Sequence, residues 1–163
     1  MQFAYLLLTV FSCLLNFPIE VAQYPPNLTG KVIGITDGDT IDILYENKPL
    51  RIRLKHIDCP EIRKQQPFGA AAKKFTSDNC FGQIVRVLHK NEVDRNKRLI
   101  GEVINARGLN INKELVKAGL AWHFIKYSSN QEYAVLEKNA RAIKVGLWKD
   151  PHPTPPWNWR KPK

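Results

Sequence analysis

Apolar and polar positions alternate with the two-residue period of strands in three early segments, and later apolar residues recur at helical spacing. Val32, Ile33 and Ile35 predict a strand over residues 30–36, and Asp37-Gly38 is a hairpin turn signal. Residues 40–45 form the return strand. Glu46-Asn47-Lys48 turns again, and residues 50–54 alternate as a third strand. Residues 84–88 and 99–104 predict two more strands, joined by the polar run 91–98. A helix is expected after Pro67, with Phe68, Ala72 and Phe75 on one face, and Asn79-Cys80-Phe81-Gly82 ends it. Asn110 is placed to cap a short helix with Ile111, Leu115 and Val116 inward. Residues 119–123 turn into an extended segment. Tyr133, Leu136, Ala140 and Ile143 mark a last helix, stopped by Gly146. The Pro-rich segment beginning Pro151-His152-Pro153 is expected to be irregular and polyproline-like.

This order predicts a mainly β, α+β domain: a five-stranded OB-type barrel with three helices. The expected division is an apolar leader over 1–22, a linker over 23–29, the barrel domain over 30–149 and a basic Pro/Trp-rich tail over 150–163.

Charge narrows the range of partners. The formal net charge is +10 and the pI near 9.7, which attracts polyanions: nucleic acid first, an anionic membrane or wall second. The apolar run over 1–15 is shorter than the roughly 20 residues of a membrane span and fits the core of a secretory signal. It lacks a positive start, and Glu20 stands where cleavage after Ala22 would favour a small residue. A secreted or cell-envelope location is therefore expected, with an uncleaved anchor and a misassigned start codon as alternatives. Cys13 follows a poor lipidation sequence. Cys59 and Cys80 are read as ordinary unpaired thiols, although export would permit a disulfide. The four histidines make no zinc pattern with the cysteines.

The chemistry-bearing residues fall in short turn-prone segments. Asp39 and Asp58, at strand ends, suit a hard cation such as Ca²⁺, with carbonyls, waters and a phosphate substrate completing the shell. Asp37 is explained as the turn residue of Asp-Gly. Glu61, just past Pro60, is placed to take a proton from a water. Arg53 and Arg98 offer guanidinium forks for phosphate oxygens. Arg51, with the same strand parity as Arg53, is expected to be expendable.

Three separated motifs, Thr36-Asp37-Gly38-Asp39-Thr40, Arg53 through Ile57-Asp58-Cys59-Pro60-Glu61, and Asp94-Arg95 followed by Arg98, together resemble the staphylococcal nuclease family. The likeness runs from about Gly30 to Trp148, and the ending Pro155-Pro156-Trp157 with Trp159-Arg160 resembles bacterial members. The resemblance implies an OB-type barrel and Ca²⁺-dependent cleavage of DNA and RNA that leaves 3′-phosphates. It implies Asp39 and Asp58 as metal carboxylates and Cys59 as a backbone-carbonyl ligand. Arg53 and Arg98 match catalytic arginines, and Glu61 matches the general base. Arg95 matches a contact to the terminal phosphate and Tyr127 a nucleotide-pocket tyrosine. Single-stranded or locally open substrate is favoured, no obligate protein partner is inferred, and a monomer is expected. Asn96-Lys97 and Ile125 replace expected aromatic contacts, which implies weaker binding of short substrates. Two other readings use the same residues: a non-catalytic nucleic-acid-binding OB module, and an envelope-attachment domain gripping with Trp157 and Trp159. For these tryptophans, packing back on the barrel is the preferred expectation.

Overall fold

Alternation along β1 (Asn27–Asp37) buries Leu28, Gly30 and Val32 in turn, so one face of the strand is committed to a core. The same pattern repeats in β2 (Thr40–Tyr45), with Ile41 and Ile43 inward, and in β3 (Lys48–Leu54), with Ile52 and Leu54 inward. After the short β4 (Ile57–Asp58) come β5 (Ile84–Val93), burying Val85 and Val87, and β6 (Leu99–Ile104), burying Leu99 and Val103. The computed structural model describes residues 24–161. In it these inward faces meet because the sheet closes on itself in the order β1-β2-β3-β6-β5. All neighbours are antiparallel except β3 and β6. The expected α+β fold with a five-stranded OB-type barrel is thus the one observed. Its apolar N-terminal segment, with the signal or anchor reading, lies outside the described residues.

β1 serves two partners. Residues 27–31 pair with β5 and residues 31–37 pair with β2, with register shifts at Val32/Gly34 and Ile35/Asp37 that bend the strand round the corner of the barrel. It begins three residues before the alternation predicts, because the ladder with β5 extends to Asn27. β5 likewise runs past residue 88 into the polar stretch to Val93.

Helices cap the barrel. α1 (Gly69–Cys80) buries Gly69, Ala72, Thr76 and Cys80. α2 (Ile111–Lys117) starts at Asn110, whose side chain accepts from the Lys113 N–H, and buries Ile111, Leu115 and Val116. The fully buried Asn112 accepts from the Val103 N–H at 3.0 Å and donates to the Lys55 carbonyl at 2.9 Å. That pair of bonds ties α2 to the barrel wall and to the turn after β3. α3 (Gln131–Ala142) buries Tyr133 and Ala140. Ile143, expected inward, is 72% exposed, because the helix stops at Ala142 and the chain reverses through Lys144 in a left-handed conformation.

A second apolar cluster lies outside the barrel. β7 (Trp122–His123) pairs antiparallel with β4, and Trp122 meets Trp148 from the 3₁₀ turn Gly146–Lys149 at 4.5 Å between ring centres. The Arg141 guanidinium lies over both indoles. The tail, expected to be irregular, ends in a short helix, α4 (Pro156–Trp159). Pro156 starts it without loss, since a first-turn N–H has no intrahelical partner. Trp157 stacks on Phe124 at 5.3 Å and meets Trp122 edge-on, so this tryptophan packs back on the domain.

Candidate active site

Five chain segments deliver side chains to one cleft of about 820 Å³. The first is the β1–β2 hairpin. Asp37 pairs with Thr40 across it, leaving Gly38 and Asp39 at the tip. A Cβ on Gly38 would stand 2.6 Å from the Ala72 Cβ and 2.9 Å from the Cys59 sulfur, so only glycine lets the turn pack against α1 and the β4 loop. Thr76 of α1 donates to the Gly38 carbonyl at 2.6 Å. The turn, and Asp39 with it, is therefore held from behind by a helix.

The second segment is the end of β3 and the turn into β4. Arg53 is nearly buried, and its Nη2 lies 3.1 Å from Asp39 Oδ2 and 2.9 Å from Asp58 Oδ1. Its Nη1 donates to the Leu54 carbonyl. One guanidinium nitrogen thus bridges the two aspartates chosen from sequence. Burial disfavours the Arg53 charge, but Asp39 and Asp58 more than restore it, and its pKa is raised. Arg51, by contrast, is about half exposed and pairs with Asp42 at 2.7 Å, away from the cleft. Asp58 is fixed by the β4–β7 pairing opposite Trp122.

Cys59 follows in the same loop. Its N–H donates to Asp39 Oδ2 at 2.7 Å, a second restraint on that carboxylate. Both Cys59 and Cys80 are free and buried, as the unpaired reading expected. Burial pushes the Cys59 thiol well up, and that of Cys80 up to about 12, so neither presents a thiolate. Glu61 lies at the mouth, its N–H held by Gln66 at 2.9 Å.

The third segment joins β5 to β6. Asp94 accepts from the Asn96 and Arg98 N–H groups and from the Arg98 guanidinium at 2.7 Å, so this acid shapes the turn that presents Arg98. Arg98 then donates to Thr40 at 3.0 Å, and Thr40 donates to Asp39 at 3.2 Å. Arg98 therefore reaches the same cluster through one hydroxyl. Arg95 lines the cleft from an exposed position. On the opposite wall Tyr127 is 68% exposed and rests edge-on against Phe124. Its loop is pinned by Ser128, which bonds His56 at 2.8 Å and His123 at 2.9 Å.

Two residues were not legible as site residues. Asp37, read as a turn residue, points its carboxyl into the cluster, where Oδ1 is buried without a hydrogen-bond partner. Burial, and then Asp39, push its pKa to about 7; burial and Asp39 likewise push Asp58 to about 6, against Arg160 and Arg53. The second is Arg160 from the tail, which reaches Asp58 at 2.6 Å and Glu61 at 2.6 Å. Its only sequence signal was its place after Trp157 and Trp159, which identifies an anchored tail and says nothing of where it leads.

Among the described residues no group of three or more His, Cys, Asp or Glu side chains stands ready as a metal cage. The donor set still fits a hard divalent cation. Asp39 and Asp58 oxygens share one nitrogen of Arg53, and the orphaned Asp37 oxygen beside them marks negative charge in excess of its partners. Two carboxylates would need carbonyl, water or substrate oxygens to complete the shell.

The raised acids carry a stability consequence. Asp37 and Asp58 bind protons in the folded chain that the unfolded chain releases near pH 4. In chelator, stability should therefore fall as pH rises from about 4 to 7. Asp37→Asn removes one share of that loss, at most about 4 kcal/mol. Thermal melts in EDTA should show the variant level with the parent near pH 4 and more stable at pH 8. A less stable variant at pH 8 would contradict this account.

A staphylococcal nuclease homologue family model matches residues 51–150. An uncharacterized endonuclease of Escherichia coli O157:H7 is 38% identical over 137 residues, covering 84% of this chain and 88% of that protein. An uncharacterized endonuclease of Haemophilus influenzae is 40% identical over 151 residues, covering 92% and 83%. A micrococcal nuclease of Shigella flexneri is 39% identical over 142 residues, covering 81% and 80%.

Proposed function

Because this chain belongs to the staphylococcal nuclease family, we propose that it is a Ca²⁺-dependent nuclease cleaving DNA and RNA to 3′-phosphate products. The observation that supports this most is the meeting of Asp39 and Asp58 on one Arg53 nitrogen, with Glu61 in the same cleft. Asp39, Asp58 and the Cys59 carbonyl would hold the cation, which when bound supplies positive charge against the phosphate oxygens. Glu61 takes the proton of the attacking water. The water oxygen bonds to phosphorus as the P–O5′ bond breaks, and the departing O5′ takes a proton from solvent to leave as a 5′-hydroxyl. Arg53 and Arg98 receive the charge that grows on the phosphate oxygens, and they are already oriented by Asp39, Asp58, Asp94 and Thr40. Arg95 contacts a neighbouring phosphate and the exposed Tyr127 stacks a base. Stacking on Tyr127 needs an unpaired base, which favours single-stranded or open substrate. The +10 net charge supports recruitment of either nucleic acid. The reading includes an exported, monomeric enzyme, supported for location by the apolar first segment.

A nuclease gel with DNA or RNA, run with Ca²⁺, Mg²⁺ or EDTA, tests this directly. Clearing is expected with Ca²⁺ and none with EDTA, and the product ends should accept 5′ phosphorylation by a kinase without prior phosphatase. Clearing that survives EDTA would remove the cation from the proposal. Tight, salt-sensitive DNA binding without turnover would leave only a binding module.

A further inference from the structure

Arg160 is fixed at its backbone from several directions. Pro156 is buried, Trp157 stacks on Phe124, and the Trp159 indole donates to the Lys64 carbonyl at 3.1 Å. Lys64 returns a hydrogen bond to the Arg160 carbonyl at 2.9 Å, and Gln66 donates to the Thr154 carbonyl at 2.7 Å. Gln66 also holds the Glu61 N–H, so the tail and the Glu61 loop are built as one unit.

The side chain then makes a specific pattern. Nη2 meets Asp58 Oδ2 at 2.6 Å, while Nη1 reaches both Asp58 Oδ1 at 3.2 Å and Glu61 Oε1 at 2.6 Å. Asp58 is only 2% exposed at its side chain, so this is a fork on a buried carboxylate and not a solvated surface pair. Among the described residues Nη1 is the one atom that ties the cation carboxylate to the acid assigned as base. Glu61 Oε2 makes no hydrogen bond among the described residues, which leaves it open to a water.

Resting on the nuclease reading above, we propose that Arg160 is a positioning residue: it fixes Glu61 relative to Asp58 and competes with the divalent cation for Asp58. The two roles separate because they use different bonds. The fork takes an acceptor site on each Asp58 oxygen and sets a positive charge beside them, so it opposes a cation bound to either one. The bond to Glu61 does not involve the cation and persists, keeping Oε1 occupied and Oε2 directed to water. Removing Arg160 should therefore help the cation and harm the chemistry, a combination that a merely structural tail would not produce.

Calorimetric titration of the full chain with CaCl₂, beside steady-state cleavage of DNA, separates these effects. Arg160→Gln is expected to bind Ca²⁺ several-fold more tightly than the parent. Its kcat at saturating Ca²⁺ should fall at least ~10-fold, a part of the ~10²–10⁴ that a well-placed general base contributes. KM for DNA should stay within about threefold, because no uniform substrate contact is lost. Arg160→Lys keeps the charge without the fork and should restore part of kcat; it also serves if the glutamine variant folds poorly. Unchanged or weaker Ca²⁺ binding by Arg160→Gln, parental kcat, or a loss confined to KM would each overturn the proposal while leaving the nuclease reading intact. A parent chain that neither binds Ca²⁺ nor cleaves DNA would overturn both.

Discussion

Arg53→Ala should lower kcat on DNA by ~10² or more at saturating Ca²⁺, the scale for deleting one donor to transition-state charge. Arg51→Ala, two residues away on the same strand, should stay within about threefold of the parent. The contrast comes from position. Arg53 pairs with Thr40 in the β2 ladder and with Ile100 in the β6 ladder, so it is walled on both sides beneath the β1–β2 turn. Its nearly buried guanidinium lines the cleft, where Asp39 and Asp58 hold it. Arg51 stands opposite Asp42, outside the β3–β6 pairing, and makes an exposed ion pair of the kind worth ~0–1 kcal/mol. Kinetics with both variants, each checked for a normal melting transition, decide the matter. Arg98→Ala should resemble Arg53→Ala, with less effect on folding, since it reaches Asp39 only through Thr40. An Arg53→Ala enzyme keeping more than about a tenth of parental kcat would mean that charge at phosphorus is met by other groups.

Truncation after Asp150 should lower the melting temperature by about 10 °C. The tail contributes two aromatic contacts of Trp157, with Phe124 and Trp122, each worth ~0.5–1.5 kcal/mol beyond burial. Its hydrogen bonds to Gln66 and Lys64 add ~0.5–1.5 kcal/mol apiece. Losing about 3–4 kcal/mol in a domain of this size converts at roughly 3 °C per kcal/mol. The truncated chain also loses the Arg160 fork, so cleavage should fall with stability. An unchanged melting temperature would return Trp157 and Trp159 to the role of an external grip and would detach Arg160 from the site.

The strands and helices were legible where burial is one-sided. In β1 to β3 and β6 buried positions alternate with more exposed ones and the buried ones are mostly apolar, even though Ile33 and Leu44 face outward, so the period in the sequence follows the period of the pleat. Ile143 misled because the reversal at Lys144 ends α3 just before it, and a residue one step past a helix no longer shares its face. The polar extension of β5 to Val93 was hidden because its side chains are largely exposed, leaving no hydrophobic signal. In the site, Asp39, Asp58, Arg53, Glu61 and Arg98 could be chosen because each sits in or beside a short turn with a chemical motif around it. Asp37 could not, since Asp-Gly already had a local explanation as a turn.

From the residues alone came the barrel's strand pattern, the basic charge and the acid–arginine set, because each is written in local spacing and composition. The β2–β3 pairing set Arg53 beside the turn that carries Asp39, and closure of the sheet through β6 walled it on its other side, so that it meets Asp39 and Asp58 together. Packing of a tail 102 residues away brought Arg160 onto Asp58. Those placements depend on which apolar surfaces find each other across the fold, and no neighbour in sequence records that.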